Sequence, residues 1–290
     1  MSFNKVLLIG NGRVADDCLR IMAKRNIPVE LIEIFAEKFS FSEKLCERLR
    51  VTFQHIEKKD IKDYLLNLSD KTLIISAHNS YIFPKEICEK ENLTIINLHI
   101  AYLPEYRGMN PSTWAIYNQE EYAGVTWHTV SSKIDNGGII VQSKVNIEPD
   151  DTAMKLMLRC FKRGTELFEE NLDSFLDESY STFIPDNPNT HLYLAKDLPN
   201  DGVMSEVWDF NKTYAFLRSM DYSGSNLMRL PRVNHDGKVY EITKYQKKTS
   251  GEYSSHRIEL WQDNNLNITW GGYCLSCMLR EVADTGLGDN

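Results

Sequence analysis

Short apolar segments alternate with amphipathic segments along the first 150 residues. Four nearly continuous apolar runs have the length of strands: Lys5–Ile9, Val29–Ile34, Thr72–Ser76 and Thr94–His99. Such runs are typical of strands that are buried on both faces of a parallel sheet. Between them, apolar residues recur at helical spacing, as from Val14 to Lys24. The pattern predicts an α/β fold built on a doubly wound, mostly parallel, Rossmann-like sheet.

The C-terminal part has a different pattern. The tract from Pro185 onward is rich in proline, asparagine and aspartate and has little periodicity. It is followed by a short helix over Lys212–Met220 and by strand-like segments separated by turns, namely Lys238–Tyr245, His256–Trp261, Leu266–Trp270 and Cys274–Val282. The polar tail from Asp284 is expected to be frayed. We therefore predict a first domain over residues 1–184, a linker over 185–203 and a small β-rich domain over 204–290.

Composition argues against several classes of protein. The net charge of −8 disfavours a general nucleic-acid binder, which needs a basic surface. No apolar run reaches the roughly 18–20 residues of a membrane span, so we expect a cytoplasmic protein. The six cysteines follow no disulfide spacing. Cys274 and Cys277 form a CxxC, but no second pair or nearby histidine completes a metal site, so we predict no bound metal.

Polar side chains end the last of the apolar strands. Asn97 and His99 are two residues apart, so both project from the same face, at the sheet edge where open α/β sheets bind ligands. An amide can donate a hydrogen bond to a developing oxyanion, and an imidazole can donate one or move a proton near neutral pH. The alternative is a hydrogen-bonded strand end that anchors the next loop. Asp135, before Asn-Gly-Gly, is either a functional carboxylate or an ordinary turn residue.

An ordered set of motifs surrounds these residues. It comprises Asn97-x-His99, Leu103-Pro104, Tyr106-Arg107-Gly108, Pro111, Gly124-Val125-Thr126-x-His128 and Ile134-Asp135-x-Gly137. The set resembles the folate-dependent formyltransferases, a group that includes glycinamide ribonucleotide, methionyl-tRNA and nucleotide-sugar formyltransferases. The resemblance covers about the first 180 residues and is strongest from Leu73 to Gln142.

The resemblance implies an enzyme that uses 10-formyltetrahydrofolate as cosubstrate and Asn97, His99 and Asp135 as its catalytic triad. Formyl transfer to an amine needs a hydrogen-bond donor to the formyl oxygen, a group that takes the amine's proton, and a proton for the departing nitrogen. The amide suits the first task, and the imidazole can donate to the same oxygen or move protons. Asp135 can orient His99 or accept a proton through a water. The resemblance also implies residues that bind the folate: Tyr81, Ile82, Phe83 and Ile134. The residues implied at the acceptor are Tyr106, Arg107 and Gly108.

Three other features have competing interpretations. Arg107 is either a residue of the acceptor loop or a surface charge that aids solubility. His128 lies on an alternating strand and is predicted to be a packed histidine rather than a catalyst. Gly10-Asn11-Gly12 begins a GxGxxA pattern that can mark a nicotinamide-dinucleotide site, but the pattern is common by chance and formyltransferases have their own turn there, so we do not expect that cofactor.

The acceptor is expected to be a small molecule that presents a primary amine. A nucleotide-linked amino sugar is favoured over charged tRNA, because the chain is acidic and its C-terminal region is short. The alternatives are a methionyl-tRNA formyltransferase, a hydroxyornithine-type formyltransferase, and a non-catalytic relative that binds folate or a nucleotide. No membrane partner is expected, and the C-terminal region is a candidate surface for a homodimer.

Overall fold

A computed structural model describes residues 1–34, 40–186, 190–251 and 254–283. The chain forms two compact units, and each is discontinuous in sequence. The first consists of Met1–Pro111, Tyr122–Asn146 and Leu158–Tyr193. The second consists of Ser112–Glu121, Ile147–Met157 and the chain from Leu194 onward. The predicted boundaries at residues 184 and 203 stay predictions, and the predicted tail from Asp284 lies outside the described residues.

The first unit is built on a seven-stranded sheet. Its strands, with two short ones that pair separately, are β1 Lys5–Gly10, β2 Glu30–Glu33, β3 Thr52–His55, β4 Thr72–Ala77, β5 Leu93–His99, β6 Arg107–Gly108, β7 Tyr122–Thr129, β8 Ile139–Asn146 and β9 Leu192–Tyr193. The helices of this unit are α1 Gly12–Lys24, α2 Phe41–Leu49, α3 Ile61–Leu66 and α4 Lys85–Cys88. Next along the chain, α5 Pro111–Tyr117 belongs to the second unit except for its first residue, and α6 Ala153–Asp177 begins in the second unit and continues in the first from Leu158.

The strand order is β3-β2-β1-β4-β5-β7-β8. The first five strands in this order are parallel, whereas β7 runs antiparallel to both β5 and β8. The predicted doubly wound, mostly parallel sheet is therefore confirmed. Gly10 ends β1 against β4, where an added Cβ would lie 1.9 Å from the carbonyl oxygen of Ala77. Close strand packing thus accounts for the first glycine of the GxGxxA pattern.

One aromatic cluster fills the core on one side of this sheet. Trp127 of β7 is fully buried and packs against Phe168 and Phe175 of α6, with ring centroids 5.3 and 5.7 Å away. Its Nε1 donates to the carbonyl oxygen of Gly164 at 2.9 Å. A Cβ at Gly164 would lie 2.8 Å from the side chain of Leu98, so glycine allows α6 to lie directly on β5.

Besides α5, the second unit contains a five-stranded antiparallel sheet and a further helix. A 3-10 turn over Pro199–Gly202 comes first, followed by α7 Phe210–Ser219, β10 Arg232–His235, β11 Lys238–Thr249, β12 Ile258–Gln262, β13 Asn265–Trp270 and β14 Tyr273–Val282. The strand order is β10-β11-β14-β13-β12. His235 of β10 nevertheless stacks on Trp261 of β12, with ring centroids 3.7 Å apart. The sheet is therefore curled until its two end strands meet, and the predicted β-rich region is confirmed.

The CxxC lies on β14. Because side chains alternate along a strand, Cys274 and Cys277, three positions apart, face opposite sides of the sheet. Cys277 is buried in the core and its pKa is raised to about 12, chiefly by burial. No cluster of three or more metal-ligating side chains occurs among the described residues. Across the same residues, no helix is both long and apolar enough to cross a bilayer.

Candidate active site

Asn97 and His99 occupy the end of β5, between β4 and β7. Asn97 is in register with Ser76 of β4 and with His128 of β7. His99 is 7% exposed and lies opposite Thr126. Since β1, β4 and β5 are parallel, their carboxyl ends share one edge, which is where open α/β sheets place their ligands. The predicted location of these two residues is therefore observed.

The amide of Asn97 is held in one orientation by its two neighbours. The hydroxyl of Ser76 donates to Asn97 Oδ1 at 2.7 Å. On the other side, Asn97 Nδ2 lies 3.2 Å from His128 Nε2, and His128 Nδ1 lies 2.9 Å from the carbonyl oxygen of Thr129. A carbonyl oxygen only accepts, so Nδ1 carries the proton and Nε2 accepts from the amide. One N–H of Asn97 is thereby engaged, and the second projects from a fixed amide plane.

The loop that follows β5 orients the imidazole of His99. Its Nε2 lies 2.9 Å from the carbonyl oxygen of Tyr106, so in the neutral ring Nε2 carries the proton and Nδ1 carries the lone pair. Nδ1 faces Asp135 Oδ2 at 3.5 Å. A proton taken up at Nδ1 would therefore produce an imidazolium next to a carboxylate.

Asp135 lies in the turn between β7 and β8, in a left-handed conformation with φ of 47°. Its Oδ2 accepts a 2.8 Å hydrogen bond from Gly108 N, and its Oδ1 lies 3.6 Å from His128 Nε2. Burial alone would raise the pKa of Asp135, but the positive charge of the His99 imidazolium and the Gly108 N–H hold it well below its ordinary value, and His128 adds to this only when its Nε2 is protonated. The residue is consequently a largely buried, ionised carboxylate.

The turn that carries Asp135 depends on a glycine. A Cβ at Gly137 would lie 1.6 Å from the carbonyl oxygen of Thr129, and no L side chain fits there. This close approach brings the turn back over the end of β7. It explains how a residue that is distant in sequence from His99 comes to lie beside it.

The loop after β5 supplies the three residues predicted at the acceptor. Tyr106 has φ of 54° and Gly108 has φ of 90°, while Arg107 is 7% exposed. The Arg107 guanidinium donates to the carbonyl oxygen of Ile134 at 3.1 and 2.8 Å, from Nε and Nη2. The alternative that Arg107 is a solubilising surface charge is therefore wrong, because backbone carbonyls bind it in the interior.

The residues predicted to bind folate follow β4. Ile82 is 65% exposed, whereas Phe83 is 6% exposed and belongs to a buried apolar cluster. Tyr81 is half-buried and contacts the Phe83 ring edge to face at 5.3 Å. Phe83 thus lies in the core and supports Tyr81 from behind, so it presents the least surface of the three. Ile134 accepts from Arg107 through its carbonyl oxygen.

Sequence reasoning missed Ser76 and the contacts of His128. Ser76 is 1% exposed and receives a bond from Asn79 Nδ2 at 3.4 Å while donating to Asn97. His128 is packed, as expected, but it also contacts two members of the predicted triad. The position of Ser76, a hydroxyl at the end of an apolar strand, was the sequence signal that could have placed it in the site. The contacts of His128 depend on the register of β7 and had no such signal.

The chain is similar to known formyltransferases. The family model described as formyl transferase matches residues 5–172. A GDP-perosamine N-formyltransferase of Brucella melitensis is 26% identical over 245 residues, covering 82% of this chain and 92% of that protein. A methionyl-tRNA formyltransferase of Clostridioides difficile is 35% identical over 114 residues, which are 39% of this chain and 37% of that protein.

Solved structures with the same fold include two N-formyltransferases. The N-formyltransferase of Helicobacter canadensis, in complex with folinic acid and dTDP-3-aminofucose, has a TM-score of 0.74 at 18% identity and covers 95% of this chain and 99% of that one. A 4-N formyltransferase of Francisella tularensis has a TM-score of 0.69 at 20% identity, covering 80% of this chain and 93% of that one. The family model spans more than half of the sequence, and the chain belongs to the formyl transferase family.

Proposed function

We propose that this protein transfers the formyl group of 10-formyltetrahydrofolate to the primary amine of a nucleotide-linked amino sugar. One observation carries the proposal: Asn97, His99 and Asp135 meet at one edge of the sheet, with His99 Nδ1 3.5 Å from Asp135 Oδ2. An amide donor, an imidazole and an ionised carboxylate are the groups that acyl transfer to an amine requires. Their meeting also supports a catalytic protein over a silent folate-binding relative.

The loop after β4 suits a flat, partly apolar donor. Residues 79–83 form no regular element, and the N–H of Tyr81 donates to Asn79 Oδ1 at 3.0 Å. Ile82 and the ring of Tyr81 lie beside this backbone. Apolar side chains next to polar backbone groups are a common way to hold a heterocycle. The folate supplies the formyl carbon, and we assign its ring to Tyr81, Ile82 and the neighbouring backbone, with Ile134 bordering it from the Asp135 turn.

Asn97 is suited to stabilise the formyl oxygen as its carbon becomes tetrahedral. Ser76 fixes the amide oxygen and His128 takes one amide hydrogen, so the second hydrogen points in a set direction. Donors that are oriented before the reaction need no reorganisation when charge develops. Because the Asn97 amide is neutral, it does not neutralise the negative charge of Asp135. That charge can therefore stabilise an imidazolium at His99.

His99 and Asp135 are suited to move the proton. The amine forms a C–N bond to the formyl carbon and gives up a proton, which His99 accepts at Nδ1. Asp135 stabilises the resulting imidazolium, because it is ionised and close. The bond from the formyl carbon to the folate nitrogen then breaks, and that nitrogen receives the proton. The imidazole returns to its neutral form.

The choice of acceptor rests on relatives and on charge. A relative that matches 82% of this chain is named for GDP-perosamine, and the Helicobacter structure contains dTDP-3-aminofucose. Both are nucleotide-linked amino sugars. The match to methionyl-tRNA formyltransferase covers only 39% of this chain, and a net charge of −8 disfavours a nucleic-acid substrate. The cytoplasmic location and the homodimer stay predictions.

The test is a panel of amines. The purified protein is incubated with 10-formyltetrahydrofolate and, separately, GDP- and dTDP-linked amino sugars, charged initiator tRNA, glycinamide ribonucleotide and hydroxyornithine. Release of tetrahydrofolate together with a formylated sugar nucleotide in the mass spectrum supports the proposal. His99→Gln serves as the inactive control. Formylation of tRNA or of hydroxyornithine in preference to every sugar nucleotide refutes the acceptor, and no transfer to any amine refutes the activity.

A further inference from the structure

Arg107 is a buried cation next to the proposed catalytic carboxylate. It is 7% exposed, and burial of a guanidinium is costly unless acceptors surround it. Nε and Nη2 donate to the carbonyl oxygen of Ile134, and Nη1 donates to that of Thr190 at 3.4 Å. Ile134 immediately precedes Asp135. The guanidinium therefore binds the backbone of the turn that carries the carboxylate.

The backbone on either side of Arg107 contacts both His99 and Asp135. The carbonyl oxygen of Tyr106 accepts from His99 Nε2 at 2.9 Å, and the N–H of Gly108 donates to Asp135 Oδ2 at 2.8 Å. Three consecutive residues thus contact both His99 and the Asp135 turn. Any shift of this segment changes the distance between the imidazole and the carboxylate.

This segment has a backbone that needs external support. Tyr106 is left-handed, with φ of 54°, which costs about 1 kcal/mol or more for a residue with a Cβ. Gly108 is also left-handed, and a Cβ there would lie 2.1 Å from the carbonyl oxygen of Tyr193. The segment is held by pairing of Arg107 with Leu192 in the β6–β9 ladder and by the guanidinium bonds.

We propose that Arg107 is a positioning residue, which fixes Asp135 relative to His99, and that it does not bind the acceptor. The proposal rests on the proposed formyl transfer. A fork of N–H donors bound to backbone carbonyls is well suited to set the place of a turn. Misplacement of a catalytic group by about 1 Å can cost about a hundredfold in rate, so the turn needs such a support.

The test compares Arg107→Lys and Arg107→Ala with wild type in steady-state kinetics. We expect kcat to fall about tenfold to a hundredfold in Arg107→Ala, with KM for either substrate changed less than threefold. Arg107→Lys should recover part of kcat, because an ammonium donates to one carbonyl but lacks the fork.

The matched control is Arg159→Lys. Arg159 lies in the same unit and donates to the carbonyl oxygen of Asn146 at 2.7 Å, at the end of β8 away from Asp135. It should leave kcat unchanged. A rise of KM for the acceptor with kcat intact in Arg107→Lys overturns the positioning role.

A double-mutant cycle separates this inference from the proposed function. In an Asp135→Asn background, Arg107→Ala should lower kcat by less than threefold, because the group that it positions is already gone. Full additivity of the two effects overturns the inference. If Arg107→Ala is poorly folded, Arg107→Lys replaces it in the cycle. Absence of formyl transfer in the wild type refutes the proposed function instead.

Discussion

Replacement of Asp135 by asparagine removes the charge of the site with little change in shape. The new amide keeps an oxygen for the N–H of Gly108, which donates to Asp135 Oδ2 at 2.8 Å. What disappears is the negative charge 3.5 Å from His99 Nδ1. With an effective dielectric constant of about 20, a full carboxylate–imidazolium attraction at this distance amounts to about 5 kcal/mol. We therefore expect kcat to fall by about three and a half powers of ten.

The assay is single-turnover release of tetrahydrofolate at saturating acceptor, so that product release does not mask the chemical step. Asp173→Asn is the control, since this exposed residue of α6 pairs with Arg25 at the surface and lies in the same unit. It should keep full activity. If Asp135→Asn retains more than a tenth of the wild-type rate with unchanged thermal stability, the electrostatic argument for the imidazolium is refuted.

Other predictions follow from the same geometry. Asn97→Ala should lower kcat about 10²–10³-fold. Ser76→Ala should lower it only about five- to tenfold, because it removes the orienting hydrogen bond of about 1 kcal/mol. Steady-state kinetics at saturating substrates distinguishes the two variants, and equal losses contradict the proposed roles. Gly137→Ala should destabilise the protein by about 2–4 kcal/mol in urea unfolding, because its Cβ would meet the Thr129 carbonyl at 1.6 Å; a change under about 0.5 kcal/mol contradicts this. The lowered pKa of Asp135 stabilises the fold above about pH 4. That stabilisation is lost as pH falls towards the folded pKa, so acid unfolding should be shallower in Asp135→Asn, and identical curves contradict the assignment.

The sequence predicted the parts of the site that depend on local pattern. Asn97 and His99 are two apart at the end of an apolar strand, so period-two alternation and the parallel sheet were enough to place them. Asp135 was different, because its local sequence is that of any turn. Antiparallel pairing of β7 with β5 and β8, and the close approach of Gly137 to Thr129, bring it to His99. Only the motif resemblance suggested this beforehand.

Long-range burial was outside the reach of sequence patterns. Arg107 carries a charge, and one interpretation of a loop arginine is an exposed surface charge. Its burial depends on the carbonyl oxygen of Thr190, 83 residues away, and on that of Ile134. Phe83 was predicted beside the folate, but it joins the core cluster under Tyr81. The burial of both side chains depends on groups that are distant in sequence and adjacent in the fold. Composition and periodicity do not reveal those neighbours.

The discontinuous units have a consequence for engineering and for evolution. The chain passes from one unit to the other after residues 111, 121, 146, 157 and 193. The early segments are tied into the second unit by Thr113, whose hydroxyl lies 3.0 Å from that of Tyr222, and by Tyr117, whose carbonyl oxygen accepts from Lys212 at 2.6 Å. Division of the chain near residue 184 would separate those segments from the residues that they contact. Neither half can be exchanged between relatives through one crossover point, so recombination within the gene is expected to preserve both halves together.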